Sequence, residues 1–129
     1  MAILVQITDG KAGLRFSLDQ AQTRIGRDPE NEVSIDDELV SKIHAIIEAV
    51  PSPEVAGQVD YYLQDQNSTN KTFVNDEQVS LRKLKHDDVI RIGMNNFQFI
   101  EQSSEDLEET AKLHKSWIPG VFYTKKKKK

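Results

Sequence analysis

Three short segments carry side chains suited to gripping an anion: Gly26-Arg27, Ser41-Lys42-Ile43-His44, and Asp65-Gln66-Asn67-Ser68-Thr69-Asn70-Lys71-Thr72-Phe73-Val74-Asn75. Arg27 offers a planar guanidinium fork that can hold a phosphate through two parallel bonds, and Lys42 adds a compact charge. The Ser41 and Thr69 hydroxyls can donate to phosphate oxygens. The Asn70 carboxamide is both donor and acceptor, which suits a peptide backbone. The set lacks an acid and a base paired for turnover. Ser41 and His44 are three residues apart, which on an extended strand sends them to opposite faces. No Ser/His/Asp set, paired carboxylates or metal-ligand spacing accompanies them, so neither enzyme chemistry nor a metal or cofactor is expected. This is the chemistry of holding a phosphorylated peptide rather than cleaving one.

Each segment lies at the start or end of an expected strand. Ile3, Val5 and Ile7 alternate with Leu4, Gln6 and Thr8 and meet Asp9-Gly10, a turn signal. Leu14, Phe16 and Leu18 alternate again. Gln22–Arg27 runs into Asp28-Pro29-Glu30-Asn31, followed by a short strand at Glu32–Ile35 and a longer one at Ile43–Val50. Asp60–Asp65 follows a polar hairpin centred near Gly57. Thr72–Val74 is short, and Val89–Gly93 with Phe97–Ile100 forms a last hairpin through Met94-Asn95-Asn96. Short strands at roughly 8–12-residue spacing imply an all-β sandwich or barrel, whose end loops can converge. Tyr61, Tyr62, Phe73, Phe97 and Phe99 read as core. Asp36-Asp37-Glu38 reads as a solvated acidic run that would repel acidic peptides, and His86 and His114 read as surface residues.

The chain has 129 residues, room for one domain and a tail. No apolar run approaches the roughly 20 residues of a membrane-spanning helix. The first residues do not pair a basic leader with a long apolar stretch, so no signal peptide is expected. With no cysteine, disulfides and thiolate chemistry are excluded, which fits a cytoplasmic chain. The net charge of −4 conceals a split: residues 1–100 hold ten Lys/Arg and sixteen Asp/Glu, residues 101–110 five acids, and residues 111–129 seven lysines. A single short lysine run does not make nucleic acid or a membrane surface an expected partner.

The three segments, in this order, resemble the signature of the forkhead-associated (FHA) domain, a phosphothreonine-binding β-sandwich. The family pattern is Gly-Arg, then Ser-X-X-His, then Asp-X-X-Ser-Thr-Asn-Gly-Thr-X-Val-Asn. Asp87-Asp88-Val89-Ile90-Arg91-Ile92-Gly93 is similar to the family's closing strand entry. The resemblance covers about residues 3–101. It implies two mostly antiparallel sheets and an adaptor role in Ser/Thr kinase signalling, with a phosphothreonine protein or peptide, a kinase or a kinase substrate, as partner. It implies that Arg27 and Ser41 contact the phosphate with Lys42 assisting, that Thr69 sits beside the phosphothreonine, and that Asn70 bonds the peptide backbone. Gly26 and His44 are implied as scaffold, His44 bracing the loop that presents Ser41. Preference for phosphothreonine over phosphoserine is attributed to a pocket for the extra methyl, worth about 0.8 kcal/mol by area alone. Lys71 departs from the family's Gly, which implies either a milder turn or a stability cost, and places a cation beside the groove.

These readings divide the chain into a sandwich at 1–101 and a tail at 102–129. Ser104 is a good N-cap, and Leu107, Ala111, His114 and Trp117 recur at helical spacing before Pro119-Gly120. A short helix at 104–117 and a disordered lysine-rich end are expected. Thr110, preceded by Glu108-Glu109, is a candidate phosphosite, and phospho-Thr110 could occupy its own or a neighbour's site. The alternative function is a sandwich that binds partners without phosphate, through a sheet face or the docked tail.

Overall fold

The computed structural model describes residues 2–101. The expected helix at 104–117, Thr110, His114 and the lysine-rich end lie outside the described residues. Eleven strands follow in chain order: β1 (Ala2–Thr8), β2 (Lys11–Ser17), β3 (Gln22–Gly26), β4 (Val33–Ser34), β5 (Ala45–Pro51), β6 (Val59–Asp65), β7 (Thr72–Val74), β8 (Glu77–Val79), β9 (Leu81–Lys83), β10 (Val89–Ile92) and β11 (Asn95–Glu101). They form a six-stranded sheet, β2-β1-β11-β10-β7-β8, and a five-stranded sheet, β4-β3-β5-β6-β9. The pairings are antiparallel except β3 with β4, where Ile25 lies beside Val33 and Gly26 beside Ser34. The alternation implied an all-β sandwich or barrel; the fold observed is the two-sheet sandwich that the family resemblance implies.

Alternation decides which side chains meet between the sheets. In β10, Ile90 and Ile92 are buried while Val89 and Arg91 point away. In β5, Ala45 and Ile47 face inward and Glu48 outward. Leu4, Ile25, Leu63, Val74, Phe97 and Phe99 complete a contiguous core. Tyr61 of one sheet meets Phe99 of the other with ring centroids 5.5 Å apart, a tilted contact that adds about 1 kcal/mol to the area it buries. The aromatic expectation holds for Tyr61, Phe97 and Phe99. Tyr62 and Phe73 are half-buried instead, and Phe73 carries the Arg91 guanidinium 4.2 Å above its ring. Leu14 is exposed on edge strand β2, so the inward stripe there begins at Phe16.

Turns fix the register. Asp9 and Gly10 both have positive φ, as does the pair Asn75-Asp76 joining β7 to β8. Such two-residue turns match the strand twist. The last hairpin turns one residue earlier than expected: Ile92 pairs with Asn95, leaving Gly93 (φ 61) and Met94 at the tip. Strands β8 and β9 had no sequence signal of their own, being three polar-rich residues each. Among the described residues there is no helix long and apolar enough to cross a membrane. At one end of the sandwich, the turns and loops β3–β4, β4–β5, β6–β7 and β10–β11 come together.

Candidate functional site

The first two motif segments are bonded side by side. The Arg27 N–H donates to the Ser41 carbonyl at 2.9 Å, and Asp28 N–H to the Lys42 carbonyl at 3.2 Å. Asn31, buried although polar, sends its Nδ2 to that same Lys42 carbonyl at 2.7 Å. A β-carbon on Gly26 would lie 2.2 Å from the Lys42 oxygen and 2.8 Å from Asn31 Nδ2. Only glycine lets the two backbones approach this closely. The loop's far end is tied by Arg24, which bonds Glu32 through its backbone N–H at 2.8 Å and its guanidinium at 3.2 Å. That hydrogen-bonded guanidinium holds the Glu32 carboxyl down at about 2. Arg27 itself is exposed, with Nε donating to the Val40 carbonyl at 3.0 Å. Its two terminal nitrogens have no hydrogen-bond partner among the described residues.

His44 joins the second segment to the third. It is completely buried. Its Nδ1 accepts the Ser41 backbone N–H at 3.0 Å, so the ring proton sits on Nε2, which donates to the Lys71 carbonyl at 2.8 Å. The Ser41-Lys42-Ile43 stretch is not extended, which lets the His44 ring turn back toward Ser41. The expectation of opposite faces, made for a continuous strand, does not apply. Ser41 Oγ accepts the Thr69 N–H at 3.2 Å, and Asn70 Nδ2 donates to the Leu39 carbonyl at 2.8 Å. Arg27, Ser41, Lys42, Thr69 and Asn70 thus lie on loops bonded to one another. Ser41 is half-buried and the other four are exposed.

The third segment is shaped by Asp65. Its carboxylate accepts the Ser68 N–H at 3.0 Å, the Ser68 hydroxyl at 2.5 Å and the Thr72 hydroxyl at 2.7 Å. Burial pushes the Asp65 carboxyl up, but the hydrogen bonds from Ser68 and Thr72 outweigh it and the net shift is downward. This contribution to stability is present above the ordinary carboxylate range and lost as pH falls through the depressed value. Lys71 has φ 68, so the turn is as left-handed as the family's Gly implies, not milder. For a side chain with a β-carbon that conformation costs roughly 1–2 kcal/mol. Lys71→Gly keeps the carbonyl that His44 bonds and should stabilise the fold by about 1 kcal/mol after the added unfolded-state entropy of Gly. A lowered urea midpoint for that variant would contradict the strain.

Two residues outside the expected set turn out to shape this end. Asn31 has no pattern of its own in the Asp28-Pro29-Glu30-Asn31 run, and only its closeness to Gly26 in space reveals its carbonyl partner. Asp37 is no solvated member of an acidic run: its carboxylate accepts three hydrogen bonds, from the Leu39 and Met94 N–H groups and from Asn95 Nδ2. His86 is exposed as expected, and its Nδ1 accepts the Glu101 N–H at 3.1 Å.

The FHA domain family model matches residues 23–93, a stretch that runs from within β3 to Gly93 and holds all three motif segments. The chain belongs to the FHA family. Among FHA relatives it is 36% identical over 105 residues to the oxoglutarate dehydrogenase inhibitor of Corynebacterium jeikeium, covering 81% of this chain and 67% of that one. It is 34% identical over 99 residues to the glycogen accumulation regulator GarA of Mycobacterium tuberculosis, covering 77% of this chain and 57% of GarA. An FHA structure solved for phosphothreonine-dependent FHA domain interactions superposes with a TM-score of 0.67 at 30% identity, covering 80% of this chain and 99% of that one.

Proposed function

We propose that Arg27, Ser41, Lys42, Thr69 and Asn70 form the phosphothreonine-peptide site of this FHA chain, an adaptor in Ser/Thr kinase signalling. The observation that carries the assignment is which donors and acceptors the fold leaves free on these groups. Val40 holds Arg27 Nε, so the terminal nitrogens are presented as a fork for two phosphate oxygens. Ser41 Oγ accepts the Thr69 N–H, which leaves its own hydrogen free to donate to a phosphate oxygen. Asn70 uses one amide hydrogen on Leu39, keeping Oδ1 and the second hydrogen for a peptide backbone. Lys42, its carbonyl pinned by Asn31 and Asp28, has its side chain exposed beside them. Gly26 and His44 serve as scaffold, by close approach and by bridging Ser41 to Lys71.

The same bonds argue against turnover. Both His44 nitrogens are engaged, Nδ1 by a backbone N–H and Nε2 by a carbonyl, so the ring cannot take the Ser41 hydroxyl proton. The chain acts by binding. In this reading residues 1–101 are the binding module and residues 102–129 a tail, the partner is a phosphorylated kinase or kinase substrate, and the cysteine-free chain works in the cytoplasm. Titration of the 15N-labelled full chain with a phosphothreonine peptide library hit should move the resonances of Arg27, Ser41, Lys42, Thr69 and Asn70 together. Shifts confined to a sheet face would overturn the site.

A further inference from the structure

The β10–β11 turn belongs to none of the three motif segments, yet one carboxylate ties it to them. Asp37 Oδ1 accepts the Leu39 N–H at 2.9 Å. Its Oδ2 accepts the Met94 N–H at 3.0 Å and Asn95 Nδ2 at 2.9 Å. The Val40 N–H closes the loop on the Asp37 carbonyl at 2.9 Å. The turn packs against this group without slack: a β-carbon on Gly93 would lie 2.7 Å from Asp37 Oδ2 and 2.9 Å from Val40 Cγ2. Leu39, held at its N–H by Asp37, gives its carbonyl to Asn70 Nδ2 at 2.8 Å. A continuous path of contacts therefore runs from the Met94 N–H through the Asp37 carboxylate and the Leu39 peptide to the Asn70 carboxamide.

We infer that Asp37 is a positioning residue for phosphopeptide binding, one that touches no peptide and sets the Asn70 carboxamide through Leu39. The inference rests on the reading of the site given above. Three donors converge on this carboxylate, and an acceptor-only group is the one side chain of this size that satisfies all of them. The Leu39 and Met94 N–H groups hold its carboxyl below the ordinary carboxylate range, with Asn95 adding to them against the effect of burial. It therefore stays ionised across the range near pH 6 in which phosphothreonine gains its second charge. Asparagine at this position would point an NH2 group at a backbone N–H on one side, opening one half of the clamp.

The test is calorimetric titration of the full chain with one phosphothreonine peptide that binds the wild type, using wild type, Asp37→Asn, Asn70→Ala and the double variant. Asp37→Asn should weaken binding on the order of tenfold, because the Leu39 peptide, and with it the Asn70 carboxamide, loses its fixed position before the peptide binds. In the Asn70→Ala background the same change should shift affinity less than about twofold, because groups in one hydrogen-bond network couple. Equal loss in both backgrounds, or no loss, would overturn the inference. If Asp37→Asn does not fold, Asp37→Ala leaves the same N–H groups to water and should show the same coupling. Failure of both to fold overturns the inference, since the residue would then serve the fold and not Asn70. A second readout needs no peptide: the side-chain NH2 resonances of Asn70 in the free protein should move in the folded variant. Unmoved resonances overturn the positioning role, whereas a wild type that binds no phosphothreonine peptide overturns the site reading instead.

Discussion

Arg27→Ala should cut phosphothreonine-peptide affinity by about 1.5–3 kcal/mol, on the order of tenfold to over a hundredfold. The figure is that of a charge-assisted hydrogen bond to a desolvating phosphate, and pre-orientation of the fork by the Val40 carbonyl argues for its upper part. Arg27→Lys should recover little, because an ammonium cannot reproduce two parallel bonds to two oxygens. The thermal midpoint of either variant should stay near wild type, since the side chain is exposed and gives the fold one hydrogen bond. Calorimetric titration and thermal melts read both quantities. Unchanged affinity in Arg27→Ala would remove the residue from the site.

Gly26→Ala should act in the opposite way, through the fold. The added methyl would sit 2.2 Å from the Lys42 carbonyl oxygen, a backbone atom that Asn31 and Asp28 already hold. Relief requires parting the Gly26-Arg27 segment from Ser41-Lys42, which breaks those bonds and separates the two phosphate-facing loops. A loss of about 3 kcal/mol is expected, at the upper end for overpacking, because buried Asn31 also loses its acceptor. The thermal midpoint should fall by more than about 10 °C. Peptide binding should be weakened even at temperatures where the variant remains folded, and a wild-type melt would show that the loops can part at little cost.

The parts of the molecule that announced themselves in sequence are those where a local pattern has one physical meaning. Alternation at Ile90, Arg91 and Ile92 can only be satisfied by a strand with one buried face. Asp9-Gly10 is a turn because both residues tolerate positive φ. The three motif segments could be assigned to one site because residue type and order were specific together. What stayed hidden depends on contacts between distant segments. Asp37 reads as one of three acids in a row, and its role exists only because the fold brings Met94 and Asn95 to it, 57 and 58 positions away. Asn31 gains its partner the same way. Strands β8 and β9 owe their extension to pairing with β7 and β6 rather than to any pattern of their own. At Lys71 the sequence left a milder turn or a strained one open, and the choice is made by a distant contact: its carbonyl meets His44, and the backbone is left-handed.

Phosphate recognition is read directly by titrating the full chain with one peptide in three forms, phosphorylated on Thr, phosphorylated with Ser in its place, and unphosphorylated. The phosphothreonine form should bind. The phosphoserine form should bind at least about fourfold more weakly, the value of one buried methyl, and more so where the methyl packs tightly. The unphosphorylated form should show no measurable affinity. Equal binding of the phosphorylated and unphosphorylated peptides would contradict the account, because it would mean that Arg27, Ser41 and Lys42 hold no phosphate.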